Sequence, residues 1–176
     1  CAAPGGKATA LASFSSYVVA AEVNPSRQKL ITENLANLGL ENVGQVIADG
    51  KLPPFSSGSF DKVLVDAPCS GLGVLHRRPD ARWRILRSDV KNLSALQKEL
   101  LSAALKLVKS GGELIYSVCT VTHAETIDVV LELERIHPQL KPIKLQNPKW
   151  RAHGNGLQVL PQDAGTDGMT VFKWKV

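Results

Sequence analysis

Residues 60–71 read Phe-Asp-Lys-Val-Leu-Val-Asp-Ala-Pro-Cys-Ser-Gly, an apolar, β-branched run that ends on an acid and then a proline-containing turn. A short run of this kind, bounded by turn residues, predicts a buried parallel strand over Phe60–Asp66, because a strand covered on both faces loses the in-out alternation. Tyr17–Glu22, Val43–Ala48 and Gly112–Ser117 share the pattern. Helical periodicity separates them. Asn24 followed by Pro25 predicts an N-cap with proline in the first turn, and apolar residues recur at Leu30, Ile31, Leu35 and Leu38 until Gly39 stops the helix. Val90–Val108 repeats the pattern ahead of Lys109-Ser110-Gly111-Gly112. Thr122, with Glu125 three residues on, predicts a capping box and a helix that runs to about His137, before Pro138. Met169–Val176 is predicted as a last strand, with Val171, Lys173 and Lys175 on one face and Phe172, Trp174 and Val176 on the other.

Strands alternating with helices imply an α/β fold built from right-handed crossovers, a mostly parallel sheet with helices on both faces, and ligands at the carboxyl ends of the strands. The 176 residues, 44% hydrophobic and 21% charged, suit one catalytic domain spanning 1–176. The chain opens at Cys1 directly on a glycine turn, so a truncated domain lacking its first strand is expected. No apolar run is long enough to span a bilayer and no signal-like segment opens the chain, which points to a cytoplasmic protein without a membrane partner. Three cysteines, an odd number, suit reduced thiols in a reducing compartment.

The net charge is +5, and it is concentrated. Between His76 and Lys91 the fixed cations Arg77, Arg78, Arg82, Arg84, Arg87 and Lys91 stand against only Asp80 and Asp89. Such a cluster matches a phosphate-backbone partner, although a solvated arginine-rich loop has the same composition. Trp83, inside the cluster, is expected to pack against the sheet rather than to stack on a base.

The segment Cys1-Ala2-Ala3-Pro4-Gly5-Gly6-Lys7 is made of small residues that let a ligand approach the backbone, and the helix that follows offers its N-terminus. Glu22, at the end of its strand, is placed to accept the hydroxyls of a ribose, and Asp49, just after the next strand, to meet an adenine amino group. Each acid alone is more often a helix cap or a turn residue; together, at successive strand ends, they indicate a nucleoside cofactor. Cys69 in Asp66-Ala67-Pro68-Cys69-Ser70-Gly71 and Cys119 in Ser117-Val118-Cys119-Thr120 put two thiols at the carboxyl ends of strands in one cleft. A single buried cysteine is usually packing. Two at strand ends, each followed by a hydroxyl residue, read as reactive thiols. No histidine stands at metal-ligand spacing from them, so no metal is expected.

Taken in order, the turn at Cys1–Lys7, Glu22, Asp49, the box at Asp66–Gly71, the Arg77–Trp83 segment, the box at Tyr116–Thr120 and the Gly165-Thr166-Asp167-Gly168 turn resemble the Sun family of RNA cytosine-C5 methyltransferases over almost the whole chain. Val118 and Met169 depart from the usual threonine and phenylalanine. The resemblance implies a Rossmann-like methyltransferase fold, S-adenosylmethionine as cofactor, ribosomal RNA as substrate and a monomeric enzyme. It implies that Cys1, Ala2, Ala3, Pro4, Gly5, Gly6, Lys7, Glu22, Asp49 and Asp66 bind the cofactor, and that Arg77, Arg78, Arg82 and Arg84 bind RNA phosphates. Cys119 is implied as the nucleophile that adds to cytosine C6, and Cys69 as the helper that resolves the adduct. Asp66 is read as facing the N3/N4 edge of the base, with Lys7 as the cation that keeps it ionised. A methyltransferase acting on another substrate and a non-catalytic RNA-binding module are the rival readings.

Overall fold

Asn24 caps its helix as its sequence position predicts. In the computed structural model, which describes residues 1–176, its side-chain oxygen accepts the N–H groups of Ser26 at 2.9 Å and Arg27 at 3.2 Å. The helix spans Pro25–Leu38 and closes on Gly39. It belongs to the first of two compact units, residues 1–54, which holds α1 (Gly6–Ala12), β1 (Val18–Glu22), α2 (Pro25–Leu38) and β2 (Val43–Ile47). β1 and β2 pair in parallel, Val18 opposite Val43 and Glu22 opposite Ile47. Ala3, Ala8, Ala12, Ala20, Ile31, Leu35 and Val43 form the core of this unit. Full burial of a residue such as Ile31 stabilises by about 1.5–3 kcal/mol.

The second unit, residues 55–176, carries β3 (Phe60–Asp66), α3 (Ala81–Arg84), α4 (Arg87–Leu107), β4 (Val108–Val118), a 3-10 turn (His123–Glu125), α5 (Ile127–Ile136), β5 (Lys141–Pro142), β6 (Arg151–His153), β7 (Gly156–Val159), α6 (Pro161–Ala164) and β8 (Met169–Lys175). β3 and β4 are parallel, with Asp66 opposite Ser117. β8 runs antiparallel to β4, and β7, β6 and β5 extend the sheet through further antiparallel pairings. The class is α/β, but the pairing is mixed rather than mostly parallel. After α5 the chain returns through antiparallel strands, and Gly154-Asn155 folds β6 back on β7 in a tight hairpin.

Elsewhere the differences are local. α4 begins at Arg87 instead of Val90 because the Asp89 carboxylate accepts the Leu86 N–H at 2.9 Å, and its last expected residue, Val108, joins the strand beside Phe60. β8 buries Phe172 and Trp174 completely, as the two-face reading requires, and their rings stack in series with Tyr116. Trp83 overturns its expectation. It sits on the four-residue α3 with 81% of its surface exposed, since so short a helix offers no apolar face to bury it. The capping box at Thr122 also does not form: no side-chain cap is made there, and Glu125 turns inward.

Candidate active site

In the first unit the glycine turn is fastened to the end of β1. The Ala2 N–H donates to the Ala21 carbonyl at 3.1 Å, and the Ala3 N–H to Glu22 Oε2 at the same distance. Glu22 Oε1 accepts the Asn24 N–H at 3.2 Å. The carboxylate is 1% exposed. Burial raises its pKa, but the bonds from Ala3 and Asn24, with Arg27 nearby, outweigh that and hold it below the usual carboxylate range. Two accepted bonds leave a carboxylate with acceptor capacity for about two more donors. Pro4 and Gly6 are exposed, Gly5 adopts φ 111°, and the space that a Cβ on Gly6 would fill is open. Lys7 is the exposed second residue of α1. Asp49 is also exposed and accepts the Lys51 N–H at 2.9 Å. Cys1–Lys7 and Glu22 are therefore brought into one arrangement, whose open backbone and spare acceptor sites suit a ribose-containing ligand.

In the second unit the parallel pairing of β3 and β4 ends both strands side by side, so the loops that follow them meet. The Ala67 N–H donates to the Ser117 carbonyl at 3.0 Å, and the Gly73 N–H to the Cys119 carbonyl at 3.0 Å. Between these ties Cys69 Sγ lies 3.2 Å from Cys119 Sγ, a hydrogen-bonding distance well beyond the roughly 2.05 Å of a disulfide. The hydrogen bond with Cys119, together with burial, pushes the Cys69 thiol far above the ordinary cysteine range, so Cys69 retains its proton at neutral pH. Asp66, half-buried, closes β3 immediately before this loop.

Beneath the thiols lies a carboxylate that sequence reasoning misread. Glu125 is fully buried. Its Oε1 accepts the Ser70 N–H at 2.7 Å and Gln97 Nε2 at 3.2 Å; its Oε2 accepts the hydroxyls of Ser70 at 2.6 Å, Thr122 at 2.9 Å and Thr120 at 3.1 Å. Gln97 also donates to the Pro68 carbonyl at 2.8 Å. The signal available in the sequence was the hydroxyl residue after each cysteine, Ser70 and Thr120, which together need an acceptor.

The Gly165–Gly168 turn braces the same loops. The Gly168 N–H donates to the Gly73 carbonyl at 2.8 Å, and the backbones pass so closely that a Cβ on either glycine would clash. Asp167 pairs with His76 at 3.2 Å and with Arg77 at 3.3 Å, anchoring the start of the basic segment. Arg84 pairs with Asp80 at 2.6 Å. Arg78 and Arg82 are exposed and belong to none of these pairs. No group of three or more His, Cys, Asp or Glu side chains is placed to hold a metal ion, and no helix is long and apolar enough to cross a membrane.

The chain as a whole is similar to several known proteins. The chain is 42% identical over 177 residues to Rv1407 of Mycobacterium tuberculosis, named only as a methyltransferase, covering 96% of this chain and 38% of that one. It is 37% identical to the ribosomal RNA small subunit methyltransferase B of Sodalis glossinidius, covering 98% of this chain and 40% of that one. The crystal structure of NSun6 from Pyrococcus horikoshii with SFG superposes with a TM-score of 0.87 at 27% identity, covering 99% of this chain and 46% of that one. The chain thus spans about two fifths of the length of the curated relatives it matches. The sequence profile of one family, described as 16S rRNA methyltransferase RsmB/F, matches residues 1–175. With that match running from the glycine turn of the first unit to the last strand of the second, the chain belongs to the RsmB/F family of 16S rRNA methyltransferases.

Proposed function

We propose that this chain is the catalytic domain of an RNA methyltransferase that places a methyl group on carbon 5 of cytosine, with ribosomal RNA as the substrate class and S-adenosylmethionine as the methyl donor. The observation that carries the reading is the pair of thiols, 3.2 Å apart at the adjoining carboxyl ends of two parallel strands. Cytosine C5 is a weak nucleophile, and a thiolate added at C6 makes it enamine-like; a covalent route divides one high barrier into two lower ones. A second thiol in contact with the first serves that route and has no role in methylating an amine or a carboxylate.

When bound, S-adenosylmethionine supplies an electrophilic methyl group. Cys1–Lys7, Glu22 and Asp49 are assigned to hold it, Glu22 accepting ribose hydroxyls with its remaining lone pairs. Lys7 adds a positive charge to that turn. Cys119 is the nucleophile: its thiolate forms the S–C6 bond, and Cys69, which keeps its proton, is assigned as the donor in the Sγ–Sγ contact before attack. Once C5 carries the methyl group, the C5 proton leaves to a base, the S–C6 bond breaks, and the Cys119 thiolate is restored. Cys69 is assigned to this resolving half. Asp66 is assigned to the N3/N4 edge of the cytosine: the ring takes up a proton at N3 as the thiolate adds and loses it again when the thiolate leaves, and in between the carboxylate accepts hydrogen bonds from N3–H and N4–H. Arg77, Arg78, Arg82 and Arg84 are assigned to phosphates, and the exposed Trp83 is available to stack on a base.

The test is product identity. The full-length protein is incubated with ribosomal RNA and labelled S-adenosylmethionine, and the RNA is digested to nucleosides. The reading expects the label in 5-methylcytidine; label in any other nucleoside, or RNA binding without transfer, contradicts it.

A further inference from the structure

Glu125 stands outside the mechanism above, yet it touches the loops that carry both thiols. It takes the backbone N–H and the hydroxyl of Ser70, next to Cys69, and the hydroxyl of Thr120, next to Cys119. Ser70 and Thr120 hydroxyls are also 2.9 Å from one another, and Thr122 and Gln97 complete the set. Its own backbone is held as well, since the Tyr116 hydroxyl donates to the Glu125 carbonyl at 2.7 Å. All five side-chain contacts come from groups that donate hydrogen bonds, against the roughly four lone-pair sites of a carboxylate, so one site is shared. A buried carboxylate is costly unless donors compensate it, and these donors are drawn from both cysteine loops.

We propose that Glu125 is the positioning residue of the dithiol: one carboxylate clamps the Cys69 loop to the Cys119 loop and so sets the sulfur-to-sulfur contact. This rests on the assignment of the two cysteines to catalysis, but the contact itself is measurable without catalysis. Catalytic groups displaced by about 1 Å lose on the order of 100-fold in rate. The clamp, not the charge, is the working feature. A Glu125→Gln side chain retains it, because the amide oxygen accepts the Ser70 N–H and Gln97 while the two NH2 hydrogens go to two of the three hydroxyls, which rotate to receive them. Glu125→Ala removes the clamp, and Glu125→Asp shortens it by one methylene.

The three variants are made in the full-length protein and read in two ways. The first is the rate at which diamide, a thiol oxidant that accepts two electrons and two protons, closes a Cys69–Cys119 disulfide, followed by the mass loss. The second is kcat for methylation beside the Kd for S-adenosylhomocysteine. Glu125→Gln should keep both rates within about threefold of wild type. Glu125→Ala, and Glu125→Asp should the alanine variant not fold, should lose at least tenfold in closure and about 100-fold in kcat with Kd unchanged. A folded alanine or aspartate variant whose dithiol closes at the wild-type rate overturns the proposal, whatever its activity. Loss of closure in the glutamine variant equal to that in the alanine variant also overturns it. Failure of the cysteine assignment would look different: closure would respond to Glu125 while replacing Cys119 left methylation intact.

Discussion

Replacing Glu22 by glutamine separates two tasks that one side chain performs. Its two oxygens each accept one backbone N–H, from Ala3 at 3.1 Å and from Asn24 at 3.2 Å, in a site that is 1% exposed. Glutamine offers an oxygen to one of these and an NH2 group to the other, so one buried donor loses its partner at about 1–3 kcal/mol. At about 2–4 °C per kcal/mol for a domain of this size, Tm should fall by roughly 2–12 °C. If the carboxylate also receives the ribose hydroxyls, losing its charge costs about 1.5–3 kcal/mol, or roughly 10- to 150-fold in Kd for S-adenosylhomocysteine. The sign of the pH effect follows from the direction of the shift. A carboxyl held below its unfolded value of about 4.3 stabilises the fold above that pH, and the contribution disappears as pH falls through the folded-state value. The Tm difference between wild type and Glu22→Gln should therefore be full at pH 7 and shrink below about pH 5. Scanning calorimetry from pH 7 to pH 3 and titration calorimetry at pH 7 read both effects. An unchanged Kd refutes the ribose assignment, and a Tm difference independent of pH refutes the role of the charge.

Two further outcomes test the second unit. RNA affinity should fall steeply with salt, and Arg78→Ala and Arg82→Ala should each flatten the slope by about one, whereas Arg84→Ala, already paired with Asp80, should flatten it less; a slope unmoved by the first two removes the phosphate assignment. Gly73→Ala would bring a Cβ against the Gly168 carbonyl and within 2.9 Å of the Cys119 carbonyl, so thermal melting should show a loss of about 1–3 kcal/mol and methylation should fall about tenfold or more; wild-type values for both would show that the turn does not brace the Cys119 loop.

What the sequence disclosed and what it hid divide by range. β3 runs over Phe60–Asp66 as read, and α2 begins at its Asn-Pro cap and ends at Gly39, because strand runs, caps and stops are local codes. The two cysteines were legible as strand-end thiols, and the parallel register of β3 and β4 then brings them into contact. Glu125 was not legible in its true role. Thr-x-x-Glu spacing looks the same whether the carboxylate turns back to cap a helix or inward to Ser70, which lies 55 residues away in sequence. Trp83 is expected to pack against the sheet, but the four residues of α3 leave it 81% exposed. The β6–β7 hairpin went unread although His153-Gly154-Asn155-Gly156 carries a two-residue turn signal, since each flanking run is only three or four residues long. The antiparallel pairing of β8 with β4, β5 and β7, together with the β6–β7 hairpin, is what makes the sheet mixed.

The measurement that bears most directly on the account is the covalent protein–RNA adduct, followed by denaturing electrophoresis of the full-length protein and its cysteine variants with S-adenosylmethionine and substrate RNA. With Cys119 as nucleophile and Cys69 as the group that resolves the adduct, Cys69→Ala should accumulate an adduct, Cys119→Ala should form none and should lose methylation while keeping cofactor affinity, and the double variant should form none. An adduct that persists in Cys119→Ala and vanishes in Cys69→Ala would exchange the two roles, and full methylation by both single variants would contradict the covalent mechanism.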